Sequence, residues 1–406
     1  ALLARTVAGA AAKPSERVRV AVMGVHGRGR DLARGFARCP DAEVVTLIDP
    51  DENVVPRAVK ELSGLQKAEP KVEKDVRKVL EDPTITALVV AAPDHWHALA
   101  TVWGCQAGKH VYCEKPASHN IVEGRRMVRA ARRHNRVVQI GTQRRSIPHF
   151  QSAAEFIRSG KLGKVPLAKA WIGGARPSIG HKTDGPTPAG VDYDLWTGPA
   201  PLRPFNPNRF HYEWHWNWAY GTGEIGNNGI HGLDVLRWVL NLDAPTRVTS
   251  GGGKNFYDDD RQTPDTQVAT FDFPGTTLVW EHRIWAPKPT EGESFGIAFH
   301  GEKGTLSFNK KGWHVTDGPA ASDEGKETES PHLQNFLDCV RSGGRPNADV
   351  EEGHKSTRLC HLGNIAFRTG RVVNFDAATE TIKDNAEANK LLGRTYRAPF
   401  AVPDVQ

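Results

Sequence analysis

Arg17-Val-Arg-Val-Ala-Val-Met23, running into Gly24-Val-His-Gly-Arg-Gly29, is the stretch that decides the fold. A β-branched run breaks into a glycine cluster and is followed by a helix-like segment, Arg30 to Cys39. A second strand, Glu43-Val-Val-Thr-Leu-Ile48, ends at Asp49, twenty-five residues after Gly24. Strand, glycine turn, helix, strand and acid, in that order, make a dinucleotide site. The glycines admit the pyrophosphate to the backbone, the helix N-terminus attracts its charge, and the acid accepts from ribose hydroxyls. His26 stands where the second glycine of G-x-G-x-x-G would be, with Gly27 beside it. A bare glycine cluster is as readily an ordinary turn, and Asp49 decides for the cofactor site. A carboxylate there repels a 2′-phosphate, which favours NAD over NADP. Arg28 and Arg30 could contact phosphate and work the other way.

Working outward, the chain keeps alternating. Ile85 to Ala92 is a continuous apolar strand ending at Pro93-Asp-His-Trp-His97. Ala98 to Ala107 reads as a helix stopped by Gly108, and Lys109 to Cys113 as a strand ending at Glu114-Lys115-Pro116. Val122 to Asn135 is a helix, and Arg136 to Ile140 a strand ending at Gly141-Thr-Gln-Arg-Arg145. Strands separated by helices of this length form a parallel, doubly wound sheet. The loops after its strands open on one edge, so His95, His97, Lys115, Gln143 and Arg144 neighbour the cofactor crevice. A lysine at the carboxyl end of a parallel strand points into that crevice, and the proline after it stops the strand. Loop histidines that merely cap or pack are the plainer reading of His95 and His97.

Beyond Arg145 the texture changes. Phe150 to Ser159 reads as a helix, Val165 to Trp171 as a strand, and 173–191 as a Gly/Pro-rich loop too long to be a mere connection. The tract His211-Tyr-Glu-Trp-His-Trp-Asn-Trp218 alternates Trp214, Trp216 and Trp218 with His215 and other polar residues. That suits a half-buried strand or loop edge on which sugar rings could stack, although large aromatics equally fill cores. Gly221-Thr-Gly-Glu-Ile-Gly-Asn-Asn-Gly-Ile-His231 follows, and His231 leads a helix. It is a cap, or a site residue with Asp234 on the same face to hold its imidazole. From Thr246 to Asn309 the reading is five strands of an antiparallel sheet with one covered face. Residues 320–331 are a polar exposed loop, and His332 to Ser342 and Glu351 to Thr369 are helices returning toward the first domain.

The glycine turn, Asp49, the Pro93–His97 loop, Glu114-Lys-Pro116 and the Gly-rich segment ending in His231, taken in order, resemble the Gfo/Idh/MocA oxidoreductases. The resemblance covers residues 16 to 375. It implies an N-terminal Rossmann domain and a second α/β domain with a large open, mainly antiparallel sheet. It also implies substrate and oligomer contacts on that domain, dimer or tetramer, and implies that Lys115 and His231 touch a reacting hydroxyl. Many members carry Asp four residues before that histidine. Here the position is Asn227, so any acid–base role falls to His231, Lys115 or another group such as Glu224. The Glu213–Trp218 tract looks like an extracytoplasmic branch of the family.

Composition agrees. A chain of 406 residues with 38% apolar content is long enough for two cores. The boundaries read as 1–15, an N-terminal arm or signal remnant, 16–145, the Rossmann domain, 146–375, the substrate domain, and 376–406, a tail. Five cysteines without a C-x-x-C pair indicate neither zinc ribbon nor disulfide framework. No stretch is long enough to span a membrane. Residues 1–12, apolar and then small, read as the tail of an export signal or as a plain N-terminal helix or truncation. The resemblance implies, through a family preference for Tat export, an expected periplasmic location, with the cytoplasm as the alternative. A net charge of +6 with arginines along two helices lacks any nucleic-acid motif, so these are solvated faces. His211, Glu213, His215, Glu224 and His231 do not have H-E-x-x-H spacing, and no metal is expected.

The expected chemistry is hydride transfer between NAD and a ring hydroxyl of a sugar or cyclic polyol. His231 is expected to remove the proton because an ordinary imidazole titrates near neutrality, and Lys115 to stabilise the alkoxide. Cofactor contacts are expected from Gly24, His26, Gly27, Arg28, Gly29, Asp49, Pro93, His95, His97, Glu114, Lys115, Gln143 and Arg144. Substrate contacts are expected from Arg144, Trp214, His215, Trp216, Trp218, Asn227 and His231. The alternative is a glycoside hydrolase that retains NAD, oxidises the ring transiently, eliminates the aglycone and re-reduces.

Overall fold

The computed structural model describes residues 17–289, 291–309 and 311–405; the stretch 1–12 lies outside the described residues. The first domain holds β1 (Val18–Met23), α1 (Arg28–Arg38), β2 (Ala42–Ile48), α2 (Val55–Ser63), β3 (Lys71–Glu73), α3 (Val76–Leu80), β4 (Ala87–Val90), α4 (Asp94–Gln106), β5 (His110–Cys113), α5 (Ile121–Arg133) and β6 (Val138–Ile140). The strands run in parallel in the order β3-β2-β1-β4-β5-β6. Strand order reverses between β1 and β4, which opens a crevice beyond their carboxyl ends. Val20, Ala21 and Val22 are all buried because helices cover both faces of the sheet. Phe36 and Leu62 pack on one face, Leu99 and Met127 on the other.

The second domain continues with α6 (Pro148–Arg158), β7 (Leu167–Gly173), α7 (Tyr193–Thr197), α8 (Ile230–Val239), β8 (Arg247–Gly253), β9 (Thr266–Phe273), β10 (Thr276–Arg283), β11 (Phe295–Gly301), β12 (Gly304–Asn309), β13 (Gly312–Thr316) and β14 (Ser322–Glu324). After it come α9 (Ser330–Ser342), α10 (Val350–Thr369), β15 (Val373–Asp376), β16 (Thr381–Ile382) and α11 (Ala386–Lys390). Its ten strands lie in the order β14-β13-β12-β11-β7-β10-β9-β8-β15-β16, antiparallel except for β7 with β10. Along β9, Ala269, Phe271 and Phe273 point inward while Val268, Thr270 and Asp272 are more exposed, the alternation of a sheet covered on one face. Phe150 of α6, Leu233 and Leu236 of α8 and Leu359 of α10 form that cover.

Two local readings change. The polar segment 320–331 contributes β14, an edge strand paired with β13. Helix α4 starts at Asp94, so His95 and His97 lie in its first turn and not in a loop. Helix α9 does return to the first domain, where Phe336 packs edge-on against Phe36 and Tyr112. The last residues return as well. Phe400, Val402 and Val405 are buried in the first domain's core. Arg394 donates to Glu123 at 2.7 Å and to the His95 carbonyl at 2.8 Å. Between the domains Arg145 forks onto Asp234 at 2.8–3.0 Å, and Ser356 donates to the same carboxylate at 2.6 Å. Among the described residues, no helix is long and apolar enough to cross a membrane.

Candidate active site

The glycine turn folds back on itself. Gly24 has φ +84°, and a Cβ there would lie 2.7 Å from the Ala91 carbonyl oxygen. A Cβ on Gly29 would lie 1.7 Å from the Gly24 carbonyl oxygen, so Gly29 shapes the turn without facing the cleft. Gly27 differs: a Cβ would meet nothing within 4 Å, just where α1 begins. The backbone at the start of the helix can therefore be approached closely, the setting a pyrophosphate needs. Asp49 closes the end of β2, accepting from the Val25 N–H at 2.8 Å and the Asp51 N–H at 3.0 Å. Burial pushes its carboxyl up to about 6, and these two hydrogen bonds pull the other way.

From this turn a cleft of about 400 Å³ runs past Pro93 to Lys115. Its far wall comes from the second domain: Trp196, His211, Tyr212, Trp214 and His215. Lys115 donates to the Asn227 carbonyl at 2.8 Å and to its side-chain oxygen at 3.1 Å. Burial lowers the lysine's pKa, opposed by Glu114 and Asp94. Glu114 is bound by Arg28 at 2.8 Å, and Arg28 also pairs with Glu329 of the second domain. Arg30 bonds the His26 carbonyl at 3.0 Å and pairs with Glu61 at 3.2 Å. Both arginines thus have carboxylate partners, which removes the sequence argument for a 2′-phosphate.

Of the residues expected at the cofactor, Gly24, His26, Gly27, Arg28, Asp49, Pro93, His97, Glu114 and Lys115 line this cleft. His95, Gln143 and Arg144 do not. The helical start at Asp94 turns His95 between the carbonyls of Trp196 (3.0 Å) and Tyr220 (3.4 Å), a strut between domains. His97 lies between the carbonyls of Pro116 (2.7 Å) and Ala92 (2.8 Å), tying the lysine's loop to the end of β4. Gln143 and Arg144 sit on a short 3₁₀ turn, where Arg144 pairs with Glu327 and lies over Phe295.

The aromatic tract is a 3₁₀ turn, Glu213–Trp216, and not a strand. Threefold winding separates the tryptophans. Trp214 reaches the cleft, whereas Trp216 is buried with its N–H on Glu213 at 2.8 Å. Trp218 lies outside the cleft beneath Arg368. His215 stacks on Trp214 at 3.6 Å, and its Nδ1 lies 2.6 Å from the Tyr212 carbonyl. Burial drives this imidazole down to about 3.

A π-turn, Ile225–Gly229, leads into α8 and carries Asn227 to the lysine. His231 follows one turn later, is not part of the cleft wall, and its buried Nδ1 has no partner. Burial, then the charges of Lys115, Arg144 and Arg28, push it well below its ordinary value, so the expected near-neutral imidazole is not there. Asp234 is held by Arg145 and Ser356 and does not orient the ring. Among the described residues, no three metal-ligating side chains converge. Among the cleft residues that the sequence reading did not single out are Trp196, Tyr212 and Asp94; Asp94, 2% exposed, takes a hydrogen bond from Thr222 at 2.7 Å.

This combination of glycine turn, acid and cleft-bound lysine defines a dinucleotide-dependent oxidoreductase. Residues 18–142 match the oxidoreductase family's NAD-binding Rossmann fold, and 171–271 with 300–402 match its C-terminal alpha/beta domain. The chain belongs to the Gfo/Idh/MocA oxidoreductase family. It is 28% identical to scyllo-inositol 2-dehydrogenase (NAD(+)) of Bacillus subtilis, over 89% of this chain and 97% of that one. It is 32% identical to levoglucosan dehydrogenase of Pseudarthrobacter phenanthrenivorans over 58% of each chain. Its fold matches the WlbA dehydrogenase of Bordetella pertussis, solved with NADH and UDP-GlcNAcA, with TM-score 0.67 at 21% identity, covering 89% of this chain and 99% of that one. NAD is the cofactor, and the open backbone at Gly27 and the buried carboxylate of Asp49 fit its pyrophosphate and ribose.

Proposed function

We propose that the protein oxidises a ring hydroxyl of a cyclic polyol or pyranose. NAD, when bound, supplies the hydride acceptor at nicotinamide C4. Trp214 offers an aromatic face to the apolar side of the ring, and His215 and Asn227 offer hydroxyl contacts. Lys115 holds the reacting oxygen and stabilises its growing negative charge, an effect strengthened in a cleft screened from water. The observation that carries this reading is the Lys115 ammonium, fixed by both oxygens of Asn227 in the cleft that starts at the glycine turn. The inositol and levoglucosan dehydrogenases among the relatives point to the same substrate class.

The test is to mix protein of known NAD content with free polyols, pyranoses and glycosides and follow cofactor reduction. Reduction by at least one polyol or sugar is expected. Aglycone release without net NADH would replace this reading with an NAD-retaining glycoside hydrolase, and no response to any compound would refute oxidation.

A further inference from the structure

We propose that the Asp94 carboxylate, in the wall of the cleft that also holds Lys115 and Asn227, is the proton acceptor for the reacting hydroxyl. The inference rests on the hydroxyl-oxidation reading above. Five other groups could be considered and each is unsuited. Glu224 is paired with Arg176 at 3.1 Å and is not part of the cleft wall. Asn227 is an amide and takes no proton. Lys115 must keep its proton to stabilise an alkoxide. His231 is not part of the cleft wall, and burial holds the imidazoles of both His231 and His215 neutral at values too low for an effective base.

Four cleft-lining residues are acids besides none on the far wall: Asp49, Asp75, Asp94 and Glu114. Asp49 is held by backbone N–H groups beside the glycine turn, Asp75 is paired with Arg77, and Glu114 with Arg28. Neither Asp49 nor Asp94 has a cation in salt-bridge contact, and of the two only Asp94 takes a side-chain hydroxyl donor, with the backbone of Thr222 and of its own helix start adding to it. It is 2% exposed at the first position of α4, and its one side-chain partner is the Thr222 hydroxyl at 2.7 Å. The Thr222 carbonyl is in turn fixed by the Asn364 amide at 2.8 Å. A buried carboxyl served only by neutral donors is costly for stability and is the kind of group found where protons move.

Burial pushes its carboxyl up to about 7, with Thr222 and Lys115 pulling it down. The other titratable groups that feel it are Cys113 of β5 and Cys360 of α10, and burial raises both thiols so that they stay protonated. A base near neutrality is matched to proton transfer at neutral pH. The O–H proton goes to Asp94 as the carbon–oxygen bond becomes C=O, and NAD, when bound, would take the electron pair of the C–H bond as hydride. Solvent then removes the proton from the neutral acid.

The first test needs no substrate. In NADH-loaded protein, infrared difference spectra should show a carboxylic-acid band that disappears with a midpoint near 7 and is absent from Asp94→Asn. An Asp94 ionised across the whole range from about pH 5 to pH 9 would overturn the proposal, whatever the substrate proves to be. With a compound that reduces the bound NAD, Asp94→Asn should slow single-turnover reduction by roughly 10²–10⁴-fold and abolish the acid limb of the pH profile. Thr222→Val removes a donor to the ionised form, so that limb should move to higher pH while the carboxyl remains. Near-normal turnover in Asp94→Asn with an unchanged profile would overturn the assignment and leave the oxidation reading standing.

Discussion

Lys115 and Asp49 mark the two ends of one cleft, and their substitutions should separate binding from chemistry. The ribose contact proposed for Asp49 needs the carboxylate form, and burial raises its pKa to about 6. NAD affinity should therefore be full above that pH and weaken as pH falls through it; Asp49→Asn should flatten this dependence in a fluorescence titration. Asn227 lies 3.1 Å from the Lys115 ammonium. Asn227→Asp would place a negative charge there, favour the charged lysine, and move the alkaline limb of the rate profile to higher pH. A limb that stays put would show that Lys115 does not set it. At this scale Lys115, Asp49 and the cleft-lining glycines were legible because each motif pairs a residue type with a position at the end of a strand. Asp94 was not. Its neighbour Thr222 is 128 positions away, and nothing local in Pro93-Asp94 reveals that the carboxylate will be buried without an ion pair.

The elements followed from periodicity where packing and pattern agree. The parallel strands are apolar on both faces, and β9 alternates, so both sheets were readable from sequence. The tryptophan tract was not, because alternating aromatics suit a strand and a 3₁₀ turn alike over four residues. Winding then sends Trp214 to the cleft and Trp216 to the core. Trp214→Ala should accordingly raise KM for a cyclic substrate with little loss of thermal stability, while Trp216→Ala should destabilise by roughly 3–5 kcal/mol; equal effects on melting temperature would contradict that split. In the glycine turn, Gly29→Ala would drive a methyl to 1.7 Å from the Gly24 carbonyl oxygen. The turn must open, and NAD binding should be lost before the second domain unfolds, as separate calorimetric transitions with and without NAD would record.

At the scale of the whole molecule the two domains are joined by side chains distant in sequence: Arg28 with Glu329, Arg145 with Asp234, and the chain's last residues on the first domain's core. None of these pairings was visible in the sequence, since each depends on how the second domain docks. The Arg145–Asp234 pair is buried, so Arg145→Met should strand the carboxylate and cost roughly 3–5 kcal/mol in denaturant unfolding. Docking also carries Trp214 and Asn227 to the wall of the cleft that holds Lys115. Lys115→Ala should keep NAD affinity within a few-fold of wild type, because the lysine stands away from the Gly24–Gly29 turn. In rapid mixing of the NAD-loaded protein with a polyol that the wild type oxidises, its rate of cofactor reduction should fall by roughly 10²–10⁴-fold. Near-normal reduction by Lys115→Ala protein, or loss of its NAD with turnover intact at saturating cofactor, would make the lysine a cofactor clamp and contradict the proposed chemistry.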